Sequence, residues 1–259
     1  GLAGNQVTAL WEDPEGSMWF ATYGRGLSRY DGQTWTTFTT ADGLANEMIL
    51  ALAGDREGGL WLGAVGGGLS RYDPHTPTSF TTADGLAHNM VMSLLEDRHG
   101  RLWFATWGGV SRYDGERWVS FTAKDGLLND NIWAIMEDRQ GHIWVGCQPL
   151  GVSRYDGEGW TCFTAADGQG GVLVKELLLD REGHLWVSSE DNRVSRYDGE
   201  RWRHFTAEDG LAEDDVYGMW QDRQGRLWLG SPRAIRVYDG VQFRTPGVAS
   251  IHHQGRPGS

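Results

Sequence analysis

Aromatic and charged side chains at Tyr23, Arg25, Trp107, Trp133, Lys175, Glu190, Arg193 and Tyr217 are of the kinds that grip a ligand rather than break a bond. Indole and phenol rings offer flat apolar faces to a sugar or a peptide side chain, and the charged groups add directional hydrogen bonds. Trp133, Lys175 and Tyr217 share a further property. Each lies five residues before an aspartate that recurs along the chain, at Asp138, Asp180 and Asp222.

Bond-breaking chemistry is poorly represented. The histidines are His75, His88, His99, His142, His184, His204, His252 and His253, and most read as turn or tail residues. His99, His142 and His184 occupy nearly equivalent places beside Asp-x-x-Gly turns, and His88 is on a link with no evident partner. No histidine pair has metal-ligand spacing on one strand, and no nucleophile elbow, phosphate loop or calcium loop is present. The reading is a non-enzyme with no catalytic residue, no metal and no cofactor.

The elements that position these residues are written as a repeat. A tryptophan recurs at Trp19, Trp61, Trp103, Trp144, Trp186 and Trp228, spaced 42, 42, 41, 42 and 42 residues apart. An aspartate precedes each by six residues: Asp13, Asp55, Asp97, Asp138, Asp180 and Asp222. A tyrosine follows each by ten or eleven, from Tyr30 to Tyr238. Such a period marks a supersecondary unit that buries its apolar faces only by stacking on copies of itself.

One repeat reads as four short strands, here taken from the third. Residues 89–97 form the first, and Asp97-Arg98-His99-Gly100 reverses the chain. The aspartate can cap that turn while the glycine takes its left-handed position. Residues 102–106, 110–113 and 117–122 follow, with Asp114-Gly115 as a hairpin signal before the last. No stretch has helical periodicity. The expected fold is all-β, a β-propeller of six four-stranded antiparallel blades around a central channel. The propeller spans 1–246, in units of about 1–42, 43–84, 85–125, 126–167, 168–209 and 210–246, and 247–259 reads as a tail.

Positions six and three residues before each aspartate, such as Val91 and Leu94, are apolar. As opposite faces of a strand they should pack against the two neighbouring blades. Four residues before the aspartate the side chain is small in every unit but the fifth, where Glu176 stands. The arginines of the Arg-Tyr-Asp series (Arg29, Arg71, Arg112, Arg154, Arg196) are expected to cover apolar surface and bond turn carboxylates.

Segments such as Ile135-Met136-Glu137-Asp138-Arg139-Gln140-Gly141-His142-Ile143-Trp144-Val145-Gly146, then Gly151-Val152-Ser153-Arg154-Tyr155-Asp156, resemble the two-component regulator propeller repeat. The resemblance covers 1–246 and carries no residue-level ligand motif. It implies a bacterial β-propeller of the sensor kind, often the periplasmic half of a hybrid histidine kinase, where many bind carbohydrate-derived signals. A periplasmic or extracellular location follows from the same resemblance.

The net charge of -12 argues against nucleic acid and anionic lipid as partners. No run of eighteen apolar residues predicts insertion in a membrane. Cys147 and Cys162 fall on the second and fourth strands of one blade, too far apart to bridge, so both are expected as free thiols.

Function is expected on the rim that varies. The Asp-x-x-Gly and Asp-Gly turns repeat on one rim and read as structural. The links between second and third strands differ in every unit, among them Tyr23-Gly24-Arg25, Trp107-Gly108 and Glu190-Asp191-Asn192-Arg193. With the variable position five before each aspartate, they make the candidate site for a small molecule, glycan or peptide. A monomeric ring sealed by packing blade one on blade six is the favoured assembly. The alternative is a structural, self-associating scaffold with no ligand, excised or engineered.

Overall fold

The computed structural model describes residues 1–73, 78–169, 171, 173–190, 193–212 and 215–246. Asp191, His75, His252, His253 and the tail at 247–259 lie outside them. Six four-stranded sheets follow one another along the chain, each an antiparallel meander with its strands in sequence order. They are the six blades of a β-propeller, and among the described residues the helical content is confined to single 3-10 turns.

Blade three has strands Val91–Glu96, Leu102–Thr106, Gly109–Tyr113 and Trp118–Phe121. Its first strand starts later than the apolar pattern suggested because the Asn89 carbonyl is bonded to Gly68 N–H of blade two. The last starts at Trp118 because Asp114 Oδ1 accepts the N–H groups of Glu116 (3.0 Å) and Arg117 (2.8 Å). That turns residues 114–117 into a capped four-residue loop. At Gly109 φ is 117°, and a Cβ there would meet the Phe121 carbonyl oxygen at 2.2 Å, so only glycine fits.

The chain passes to the next blade through a short 3-10 turn that the sequence reading did not include. Thr122 caps Ala123–Asp125, with Asp125 reaching back to the Thr122 N–H and Gly126 closing it at φ 104°. The same reciprocal box recurs at Thr39, Thr164 and Thr206. These hydrogen bonds hold each link in one shape.

The first strand of blades one to five departs from a regular ladder at one place. In blade four Ile132 pairs with Cys147 and Ala134 with Gly146, so Trp133 is the extra residue of a β-bulge. The equivalents are Thr8, Leu50, Met92 and Lys175. A bulge absorbs one residue of the two-residue alternation. Positions six and three before the aspartate therefore share a face instead of opposing each other. Val91 and Leu94 both join the cluster shared with blade two, and Ile132 and Ile135 both join that shared with blade three. The expected split between two neighbours is corrected by the bulge.

Five hydrophobic clusters fill the five junctions between consecutive blades. Trp103 shows the recurring geometry. It is fully buried, lies 5.9 Å from Phe121 at 13°, and meets Tyr155 of the next blade at 5.7 Å. Glycines let the next blade close in: a Cβ on Gly146 would strike Val174 of blade five at 2.5 Å. The tyrosine series is thus explained as the far wall of the preceding blade's tryptophan pocket.

Polar clamps run around the turn rim. Arg56 of blade two donates to the carbonyls of Asp97 and Arg98, and Arg98 to those of Asp138 and Arg139. Arg139 reaches the Arg181 carbonyl and Arg181 that of Arg223. The Arg-Tyr-Asp arginines lie over the tryptophans, as Arg112 does 5.5 Å from Trp103, and Arg71 also pairs with Asp55 at 2.9 Å. Both cysteines are free, with Ser153 Oγ between them at 3.4 and 3.5 Å.

Candidate functional site

The bulge that sets blade packing also builds the candidate site. A bulged residue is released from the ladder and its side chain is re-aimed. In blades four and five these residues are Trp133 and Lys175, and Tyr217 directly precedes the shortened first strand of blade six, Gly218–Gln221. Released from both packing faces, they meet each other across the blades. Lys175 Nζ lies 5.1 Å from the Trp133 ring centroid and 5.6 Å from that of Tyr217. A cation between two ring faces is favoured by both quadrupoles.

The row extends at each side. Trp107, on the link between the second and third strands of blade three, lies 6.2 Å from Trp133 at 35°. Glu190, just past the second strand of blade five (Leu185–Ser189), forms an ion pair with Lys175. Trp133 is oriented by its own indole N–H, which donates to Asn131 Oδ1 at 3.1 Å. Asn131 has no counterpart of its type in the other units. Its place two residues before the bulge was the available signal, and it was overlooked.

Trp107, Trp133, Lys175, Glu190 and Tyr217 therefore form one continuous surface across blades three to six. Trp107 is 42 % exposed and Tyr217 56 %, while the Lys175 side chain is largely covered. Ring faces reach solvent and the cation between them is held. The other candidates are placed elsewhere. Tyr23 bridges Met48 of blade two, with its N–H on the Gln6 carbonyl at 3.0 Å. The Arg25 stem packs against Gly4. Arg193 begins the third strand of blade five, where its carbonyl accepts the Ser189 hydroxyl at 3.3 Å.

Beneath the row, Glu176 points from blade five toward blade six and accepts the Met219 N–H at 2.6 Å. Burial pushes its carboxyl up to about 7, and that single hydrogen bond only partly offsets the effect. A titratable group thus lies at the blade junction next to Lys175.

The turn rim has clefts of about 420, 380 and 290 Å³, at equivalent positions between blades two and three, four and five, and five and six. Recurrence at equivalent places marks them as grooves of the scaffold. His142 and His184 stand there with Nδ1 3.0 Å from Asp138 and Asp180. Asp180, Glu182 and His184 bring donor atoms within 4.8 Å of one another. The Asp180 carboxylate is already bonded to the Trp186 indole and to the N–H groups of Glu182 and His184. His88 accepts the Met90 N–H at 3.0 Å, which gives it a local structural partner.

Residues 1–24, 85–108 and 126–148 match the two component regulator propeller family. No curated protein matches the chain. Among solved structures, the extracellular domain of BT3049 from B. thetaiotaomicron, assigned to the hybrid two component systems, superposes with a TM-score of 0.82 at 20 % identity. The match covers 95 % of this chain and 34 % of that one. The extracellular domain of BT4673 from the same organism, assigned likewise, gives 0.78 at 21 % identity, over 95 % and 37 %. Virginiamycin B lyase from Staphylococcus aureus, solved as the inactive H270A form with quinupristin, gives 0.74 at 13 % identity, over 93 % and 83 %. At these identities the likeness is one of fold. The chain spans about a third of the length of the two extracellular domains. Among the described residues no helix is long and apolar enough to cross a membrane.

Proposed function

From a chain that carries two component regulator propeller repeats, we propose a non-enzymatic sensor-type module that binds a carbohydrate on the variable rim, outside the cytoplasm. The observation that carries this reading is the row Trp107–Trp133–Lys175–Tyr217, in which half-buried Trp133 and exposed Tyr217 flank a held cation and exposed Trp107 extends the surface. Sugar C–H faces stack on such rings, and the polar groups between them accept and donate hydrogen bonds. The charged members of the row, Lys175 and Glu190, are paired with each other, which favours recognition over turnover. The sensor assignment draws on the matched repeats and on the likeness to the two extracellular domains.

A glycan array followed by calorimetry tests it, with Trp133→Ala and Tyr217→Ala as controls. Saccharide binding lost in both variants supports the placement. Binding of peptides alone, or saccharide binding indifferent to both substitutions, rejects it.

A further inference from the structure

Two consecutive residues of blade five hold one three-residue stretch of blade six. Lys175 meets the Tyr217 ring, and Glu176 accepts the Met219 N–H at 2.6 Å. Between the two held residues lies Gly218, which has no side chain to fix the stretch. On the reading of the row as a saccharide site, we propose that Glu176 is its positioning residue. The carboxyl anchors Met219, so sets Tyr217 against Lys175, and lets go when it loses its proton.

Blade six needs such an anchor because it lacks the one its neighbours use. In blades one to five the residue four after the tryptophan gives its N–H to the carbonyl seven before the aspartate. Trp107 reaches Met90 in this way at 3.3 Å, and Gln148 reaches Asn131 at 2.9 Å. These bonds pin the start of each first strand. In blade six the donor place is taken by Pro232, which has no N–H. The first strand there is accordingly short, Gly218–Gln221, and its ladder has no bulge. Tyr217 keeps one backbone bond, its N–H to the Gly230 carbonyl at 2.9 Å. Four residues before the aspartate the other units carry Ala, Ser or Gly, so only Glu176 can reach across a junction from that place.

The surroundings leave a charge on this carboxyl unanswered. Its own strand, Val174–Leu179, carries Lys175, whose ammonium is taken up by Glu190 and two rings. The adjoining strand Leu185–Ser189 has no titratable side chain. Neither do Gly218–Gln221 and Leu227–Gly230 of blade six, although Asp215 and Tyr217 lie just ahead of the former. Blade four, packed on the other side of the strand, brings Glu137 and Cys147. Among the described residues none of these charges acts on Glu176. Burial raises its carboxyl to about 7, and the Met219 bond pulls it only part of the way back. A closed junction therefore favours the acid form, and the anchor holds below that value. Opening toward water favours the carboxylate, so the anchor is released as pH rises through it. Lys175 then loses the Tyr217 face, and the row ends at Trp133.

Lys175 is one of two lysines, with Lys124, so isotope-labelled lysine reports on it directly by NMR. Protons over ring faces resonate upfield. In the parent chain the Lys175 methylene next to the ammonium should be shifted at about pH 6 and approach the Lys124 position by about pH 8.5. In Glu176→Gln it should stay shifted at both, and Lys175→Arg assigns the signal. Glu176→Ala carries the residue found here in blades one, two and four, and should give the unshifted position throughout. The glycan array supplies the second measure. Between the same two pH values the saccharide signal should fall at least about threefold in the parent and hold level in Glu176→Gln. Any of four results overturns the proposal: a Lys175 signal that ignores pH in the parent, one that moves equally in Glu176→Gln, a Glu176→Ala chain that matches the parent, or saccharide binding equal at both pH values. An array blank at both rejects the saccharide reading instead, and the Lys175 signal still decides whether Glu176 positions Tyr217.

Discussion

The indole N–H of Trp103 donates to Asp97 Oδ2 at 2.7 Å, and both side chains are entirely buried. The same carboxylate accepts the Arg101 guanidinium at 2.7 Å and the N–H groups of His99 and Arg101 at 2.9 and 3.0 Å. One aspartate thus caps its own turn and holds the largest core ring of its blade. The bond from tryptophan to aspartate recurs in all six units at 2.7 to 2.8 Å.

This arrangement sets how the fold responds to acid. Burial alone would raise the Asp97 carboxyl, but the Trp103, Arg101 and His99 donors outweigh it and hold it below the usual range. Asp13 is lowered by the same kind of bonds, and Asp222 to about 2. A carboxylate depressed in the folded state stabilises above its unfolded pKa, and the contribution fades as pH falls through the folded value. Stability should therefore be flat in these groups above about pH 5 and fall steeply below about pH 4. Asp97→Asn should cost about 2–4 kcal/mol at pH 7 and flatten the acid limb, read by urea unfolding at several pH values. An unchanged acid limb in that variant would refute the assignment.

Gln169 should be an improvable site. Leu44, Leu86, Leu127 and Leu211 fill the equivalent place after the turn glycine in other units, each buried. Gln169 is just as buried, and among the described residues neither its amide nitrogen nor its oxygen has a hydrogen-bond partner. An orphaned buried amide costs about 1–3 kcal/mol, so Gln169→Leu should raise stability by roughly that much. A calorimetric Tm unchanged or lowered would count against this account.

The row at the variable rim makes a prediction about binding energy. Lys175 is held by Trp133, Tyr217 and Glu190 together, so removing one ring also loosens the cation. Trp133→Ala should weaken a bound saccharide at least about tenfold, near 1.4 kcal/mol, and Arg25→Ala on blade one should change it little. Equal losses from both substitutions, measured by calorimetry, would place the ligand elsewhere.

How much of this was legible beforehand depended on whether a residue obeyed the period. Trp103, Asp97 and Gly100 recur in step, and their strands and turn were readable within a residue or two. The bond between Trp103 and Asp97 was also written there, as a constant six-residue offset, but an offset alone does not say that the two side chains meet. The bulge at Trp133 was hidden. Alternation counts residues, and an extra one reverses the inferred face with no mark in composition. The five row residues were each nominated for being variable. Their meeting depends on blade-to-blade geometry that no single repeat contains, and Tyr23, Arg25 and Arg193 were equally variable yet lie apart from it.

Glu176 links that geometry to pH. It replaces a small residue at the junction of blades five and six, and burial raises its carboxyl to about 7. An acid whose folded pKa is raised favours folding when protonated. Its contribution is fully present below the unfolded value near 4.5 and is lost as pH rises through the folded value near 7. Between those limits the chain should lose on the order of 3 kcal/mol, given about 1.4 kcal/mol for each pH step. Glu176→Gln keeps the acceptor for Met219 N–H and cannot ionise, so its stability should be level across that window. Urea unfolding at pH 4.5, 6 and 8 reads the difference. If the parent and Glu176→Gln curves run parallel, the carboxyl is not the group that senses pH at this junction.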